Sequence, residues 1–198
     1  MKKVLYIDPF STMGHLNFNK IYINEILKED VIVDFLFRSY YSSKLGINNN
    51  FITIPENLFT KSDNRFITRL YEIKKLRFIN KILALKSYDI VIMSSYDEIS
   101  LYLNPIKSKL FLINHNNLIG LENQIKLFVY KKISKNNIQI VFEDYIKKYV
   151  NSIGISGVIK INHGLPEKFK VNDNMAITSL RDLNIEQYKN LVFVPSSS

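Results

Sequence analysis

The stretch from Lys2 to Leu27, KKVLYIDPFSTMGHLNFNKIYINEIL, constrains the fold more than any other. A short apolar run, Val4 to Ile7, stops at Asp8-Pro9. A loop, Phe10 to Met13, closes on Gly14-His15. Apolar residues then recur at Leu16, Ile21, Ile23, Ile26 and Leu27, close to helical spacing. This is strand, tight loop and helix, the first half of a βαβ unit. Such a loop sets the free N–H groups and positive dipole end of a helix beside the C-terminal edge of a strand. Anionic ligands bind there in open parallel sheets.

The rest of the chain repeats the alternation. Val31 to Phe37 (VIVDFLF), Phe51 to Ile54, Asp89 to Met93, Lys109 to Ile113, Ile138 to Phe142 and Val158 to Ile161 read as short strands. Arg38 to Ser43 reads as a polar loop. Lys61 to Lys86 is a long helical pattern, with Phe66, Leu70, Ile73, Leu76, Ile79 and Leu83 on one stripe. Shorter helices are expected over Asp97 to Leu103, Leu118 to Lys132 and Glu143 to Ile153, the last ended by Gly154. Alternating strands and helices predict an α/β fold, a Rossmann-like doubly wound parallel sheet with right-handed crossovers. After Pro166 the pattern changes. Glu167 to Lys189 is polar, and Leu191 to Val194 reads as a fresh strand. The expected organisation is one domain over 1–166, with 167–198 a linker and the first strand of a truncated second domain. A frayed tail is the other reading.

Bulk properties narrow the class. Of the 198 residues, 46% are apolar and 23% charged, an ordinary balance for a globular chain. No apolar run approaches the roughly 20 residues of a membrane-spanning helix. The absence of cysteine excludes disulfides and thiolate chemistry, and with no signal-peptide pattern predicts a cytoplasmic setting. The three histidines have no metal-binding spacing, so no metal is expected. A net charge of +9 favours an acidic partner: nucleic acid, an anionic membrane or a phosphorylated ligand. No recognition motif or aromatic-rich strand supports nucleic acid.

Three groups of residues could carry chemistry. Gly14 either lets the backbone approach a phosphate or sugar or merely serves a tight turn, and His15 sits beside it; the GxGxxG dinucleotide fingerprint is absent. His115 follows the strand Lys109 to Ile113, where an imidazole can donate to a hydroxyl or act as a base, or simply cap the next segment. Glu143 and Asp144 follow another strand, where acids usually cap a helix. The second strong signal is the helix from Lys61 to Lys86, which carries a net +6 of the chain's charge. Its Arg69, Lys74, Lys75, Arg77 and Lys81 could meet an anionic bilayer, or form a solvated face behind a core-packing stripe.

Three segments carry a family resemblance: the opening KVLYIDPFSTMGHLNFNKIYINEIL, the strand KLFLINHNN that ends in a histidine, and IQIVFEDYIKKYVNSIGISGVIKINHGLP. Together they resemble the N-terminal domain of a GT-B glycosyltransferase of the family-four type (glycosyl transferases group 1). Asn162-His163-Gly164-Leu165 stands where that family has an Asn-Gly step before its interdomain linker. Two departures are visible. Met13-Gly14 replaces a frequent glycine pair, and Glu143 replaces a serine. The family's donor-site motif, two glutamates separated by seven residues, does not occur before Ser198.

The resemblance implies transfer of a sugar from a nucleotide-diphosphate sugar to an acceptor hydroxyl, in cell-surface polysaccharide or glycolipid biosynthesis. Met13, Gly14, Asn116 and Glu143 would contact donor or acceptor, and His115 the reacting sugar. An inverting enzyme would need a base, and His15 is the candidate. No cofactor or metal is implied beyond the donor substrate. A saccharide or lipid-linked acceptor, with peripheral contact at the inner membrane face, fits the basic helix. The alternative is a stand-alone, non-catalytic module that binds a partner carrying the donor domain and recruits it to the membrane.

Overall fold

The computed structural model describes residues 1–46, 50–60, 62–115, 121 and 123–161. They form one seven-stranded parallel sheet flanked by helices. The strands are β1 (Lys2–Ile7), β2 (Val31–Arg38), β3 (Phe51–Ile54), β4 (Ile90–Met93), β5 (Leu110–Ile113), β6 (Ile138–Val141) and β7 (Val158–Lys160). The helices are α1 (Leu16–Ile26), α2 (Ser39–Leu45), α3 (Arg65–Leu85), α4 (Glu98–Leu103), α5 (Gln124–Ser134) and α6 (Asp144–Ser152). The spatial order is β3-β2-β1-β4-β5-β6-β7. The expected doubly wound α/β sheet is therefore the observed one.

Period-two alternation decides which side chains meet which helices. Val4 and Tyr6 of β1, with Phe35 and Phe37 of β2, pack with Ile23 of α1 and Tyr41 of α2. Leu5 and Ile7 face the other way and join Met93, Leu112 and Val141 against Leu76, Ile79, Tyr130 and Val150 of α3, α5 and α6. The chain leaves β1 toward β2 and β3, then returns through α3 to β4 on the other flank. The loops after β1 and β4 diverge, so a crevice opens at their C-terminal ends, the switch point of the fold.

Local chemistry sets the helix ends. The Asn64 side chain accepts from the N–H groups of Phe66 and Ile67, so α3 starts at Arg65, inside the span Lys61 to Lys86 that the sequence suggests. Asn123 does the same for α5, which starts at Gln124, and the expected beginning at Leu118 lies outside the described residues. Helix α6 ends in a Schellman motif: Gly154 N–H donates to Asn151 and Ile155 N–H to Val150, with Gly154 at φ 86°. The segment expected as a polar loop, Arg38 to Ser43, is instead mostly helix α2. Only Tyr41 and Leu45, one turn apart, are buried, and two apolar residues are too weak a period to read. Gly46, at φ 67°, ends that helix. The expected strand Leu191 to Val194, the boundary near residue 166 and the Asn162 to Pro166 step lie outside the described residues.

Candidate functional site

The β1–α1 loop is the floor of the site, and Asp8 organises it. Asp8 is fully buried. Its Oδ1 accepts from the N–H groups of Phe10 (3.1 Å) and Ser11 (2.9 Å) and from the Ser95 hydroxyl after β4. Its Oδ2 accepts from Asn19 Nδ2 (2.7 Å) and lies 3.7 Å from His15 Nδ1. Burial alone would raise the carboxyl pKa. The His15 imidazole, the Ser95 hydroxyl and the Ser11 N–H outweigh it and hold Asp8 below the usual carboxylate range. Asn19 is a hub, accepting from Tyr6 and donating to both Asp8 and Tyr41 at 2.7 Å.

The same loop is fastened from two other sides. Ser11 stands at φ 48°, a left-handed conformation that costs a non-glycine residue about 1–2 kcal/mol. Its hydroxyl donates to Asp8 O and accepts from Arg38 N–H, and its carbonyl accepts from the Tyr40 hydroxyl. From α3, Lys75 Nζ donates to Pro9 O (3.1 Å) and pairs with Glu72 (2.7 Å), between the rings of Phe10 and Phe59. Lys75 is only 2% exposed. Burial pushes its ammonium pKa down, with Glu72 opposing, and burial pushes the Glu72 carboxyl up.

Above this floor lies a cleft of about 530 Å³. Phe10 and His15 line it from the β1 side, Ser95 to Ile99 from the end of β4, and Asn114 and His115 from the end of β5. Arg65, Arg69 and Glu72 of α3 and Lys126 and Tyr130 of α5 close its flank. His15 and His115, 100 residues apart, stack with ring centroids 4.6 Å apart and an angle of 18°. Phe18 supports His115 edge-on at 4.0 Å. Under the cleft runs a polar chain. The Tyr96 hydroxyl donates to Asn114 (2.5 Å), Asn114 donates to Gln139 (2.7 Å), and Gln139 donates to Ser134 (2.9 Å). Glu98 also faces the cleft; burial, with Asp97 adding to it, pushes its carboxyl pKa up.

The sequence candidates divide. His15 and His115 come together. Met13 is exposed beside them. Gly14 has no positive φ, and a Cβ built on it meets no described atom within 4 Å, so neither a turn nor packing demands glycine. Asn116 lies outside the described residues. Glu143 is exposed at the N-cap of α6 and does not line the cleft; β6, which it follows, is two strands removed from β4. The basic helix needs correction at two positions. Lys75 is buried against Glu72 and Pro9 and cannot touch a bilayer, and Arg69 turns into the cleft with Nε 3.7 Å from Asp97. Lys74, Arg77 and Lys81 remain on the exposed side. Sequence reasoning passed over Asp8, Glu72, Ser95, Glu98 and Asn114. Three of these directly follow or sit near strand C-termini, which is the one signal that could have found them.

No family model and no curated protein matches the sequence. Solved structures do match the fold. One is UDP-N-acetylglucosamine 2-epimerase from Rickettsia bellii, with a TM-score of 0.56, 17% identity, and coverage of 93% of this chain and 52% of that one. Another is a glycosyltransferase from Rickettsia africae, with a TM-score of 0.55, 14% identity, and coverage of 93% and 50%. MurG from Acinetobacter baumannii matches at a TM-score of 0.46, too low to carry an argument. The likeness is one of fold: a GT-B-like Rossmann half. The chain spans about half the length of the structures it matches.

Proposed function

We propose that this chain supplies the acceptor side of a sugar transfer from a nucleotide-diphosphate sugar. The observation that carries the reading is the His15–His115 stack at the mouth of a switch-point cleft, with the buried Asp8 behind His15. A carboxylate on the Nδ1 side of an imidazole favours the tautomer that presents a basic Nε2 to a ligand. In a transfer that inverts the anomeric centre Nε2 of His15 takes the proton of the acceptor hydroxyl, and in one that retains it the leaving diphosphate oxygen takes that proton. The freed oxygen bonds to the anomeric carbon as the bond from that carbon to the diphosphate oxygen breaks, and the nucleoside diphosphate leaves with the bonding pair. His115 contacts the reacting sugar. The open space over Gly14 admits the diphosphate against the backbone beside the first turn of α1.

The finer assignments belong to the same proposal. They are a family-four glycosyltransferase, a hexosyl donor, an acceptor of polysaccharide or glycolipid synthesis and a cytoplasmic setting. In this reading the nucleotide part of the donor is completed by a donor domain. Titration calorimetry with a panel of nucleotide sugars tests the reading, on this chain alone and on the chain joined to a donor-domain half. Binding and transfer by the joined form, abolished in His15→Ala with helical circular dichroism unchanged, are expected. If neither form binds any nucleotide sugar, the proposal fails.

A further inference from the structure

Helices α3 and α5 run parallel on one flank of the sheet, with α4 packed between them. Each buries one stripe: Lys75, Leu76 and Ile79 in α3, and Val129, Tyr130, Ile133 and Ser134 in α5. The opposite stripe of each is exposed, and both stripes read alike. In α3, Phe66 and Leu70 in the first two turns give way to Lys74, Arg77 and Lys81. In α5, Ile125 and Phe128 give way to Lys131 and Lys132, with Lys135 just past its end. Phe66 is 71% exposed and Ile125 70% exposed, large apolar surface left in water. Both apolar ends lie at the C-terminal edge of the sheet, where Arg65 and Lys126, their sequence neighbours, line the cleft.

The charge on these two faces has one sign. Helix α5 carries no acidic residue. The one acid of α3, Glu72, points inward to Lys75. No ion pair engages Lys74, Arg77, Lys81, Lys131, Lys132 or Lys135 among the described residues. An acidic protein would satisfy the basic ends and leave Phe66 and Ile125 in water. A second copy of this chain would set like charges together. An anionic bilayer satisfies both halves, taking the apolar tips between its headgroups and the lysines against its phosphates.

We infer that the paired outer faces of α3 and α5 form a docking surface for an anionic lipid bilayer, seated so that the cleft opens at the membrane edge. The surface differs from the one the sequence suggests. It recruits α5, which charge counting along the longest helix overlooks, and excludes Arg69 and Lys75. It stands whether or not the cleft transfers sugar.

Co-sedimentation of the full chain with vesicles tests it, comparing phosphatidylcholine alone with phosphatidylcholine containing phosphatidylglycerol. Binding is expected only to the anionic vesicles, and to fall with added salt. The triple replacement Lys74→Gln, Arg77→Gln and Lys81→Gln removes three cations and lowers the partition coefficient by about a hundredfold. Phe66→Ser with Ile125→Ser lowers it at least tenfold at unchanged charge. Neither set touches the core, so thermal melting stays within a few degrees and separates lost docking from lost folding. Equal binding to neutral and anionic vesicles, or anionic binding that survives both sets of replacements, overturns the inference. So does a dimer in light scattering that both sets dissociate, which would make the face a self-interface.

Discussion

Replacing Asp8 by asparagine tests the loop that positions the site. The change keeps the shape and one acceptor oxygen, and turns the other position into an amide NH₂. In the native arrangement Oδ1 takes three donors and Oδ2 takes the Asn19 amide. If the asparagine oxygen keeps the three, its new NH₂ faces the Asn19 NH₂, donor against donor. One charge-assisted bond is then lost, worth about 1.5–3 kcal/mol, and the buried conflict adds about 1–3 kcal/mol. The three remaining bonds weaken as they change from charged to neutral acceptors. A loss of about 4 kcal/mol at neutral pH follows, a large share of the ~5–15 kcal/mol that holds a domain together. The pH dependence supplies an independent check. Asp8 is held below its unfolded pKa, so its contribution is complete above that unfolded value, near ~4, and is lost as the pH falls through the lower folded value. Urea denaturation of both proteins, at neutral pH and across the acid limb, measures the difference. The gap between wild type and Asp8→Asn should narrow as the solution is acidified. A gap below about 1 kcal/mol at neutral pH, or one that stays constant into acid, refutes the role assigned to Asp8.

Lys75→Met keeps the length of the side chain but leaves Glu72 and the Pro9 carbonyl without their cation, and should cost about 3–5 kcal/mol in chemical denaturation. Adding Glu72→Met should recover most of that, because the penalty lies in the unpaired charge. Gly14→Ala should leave stability within about 0.5 kcal/mol, since its backbone is unstrained and its Cβ enters open space, while nucleotide-sugar binding drops in calorimetry. Gly154→Ala should behave in the opposite way, losing about 1–2 kcal/mol by thermal melting at φ 86° with binding unchanged.

The sheet was legible because each strand is a short apolar run bounded by polar punctuation, and burial on both faces leaves no other place for VIVDFLF or KLFLI. The helix starts were less so. An apolar period says where a helix packs, but a single side-chain oxygen, at Asn64 or Asn123, says where it begins. Helix α2 was missed because serines and tyrosines carry its exposed side and only Tyr41 and Leu45 mark the buried one. Strand-end position placed His15 and His115 at the same sheet edge, yet nothing local says that they touch. Their stacking follows from β4 lying between β1 and β5, which is a property of strand order. Charge counting failed at Lys75 for a physical reason. A lysine three residues after a glutamate on an inward stripe can be buried with its partner, and a sum over the helix cannot distinguish that cation from Lys74 beside it.

The fastenings of the β1–α1 loop have a kinetic corollary. Ser11 is tied to a residue 27 positions downstream, Pro9 to one 66 positions downstream, and Asp8 to one 87 positions downstream. The loop belongs to the first turn of chain to leave the ribosome, but its last fastening, Ser95, emerges only after β4. Contacts of such separation form late, since the loop-closure entropy of the intervening chain must first be met. Asp8 and the strained Ser11 are therefore without their full set of partners during synthesis of the first three strands, and the floor of the cleft acquires its shape when β4 docks beside β1. The floor of the site thus depends on the central pair of strands, and its ability to bind a ligand reports that β1 and β4 have come together.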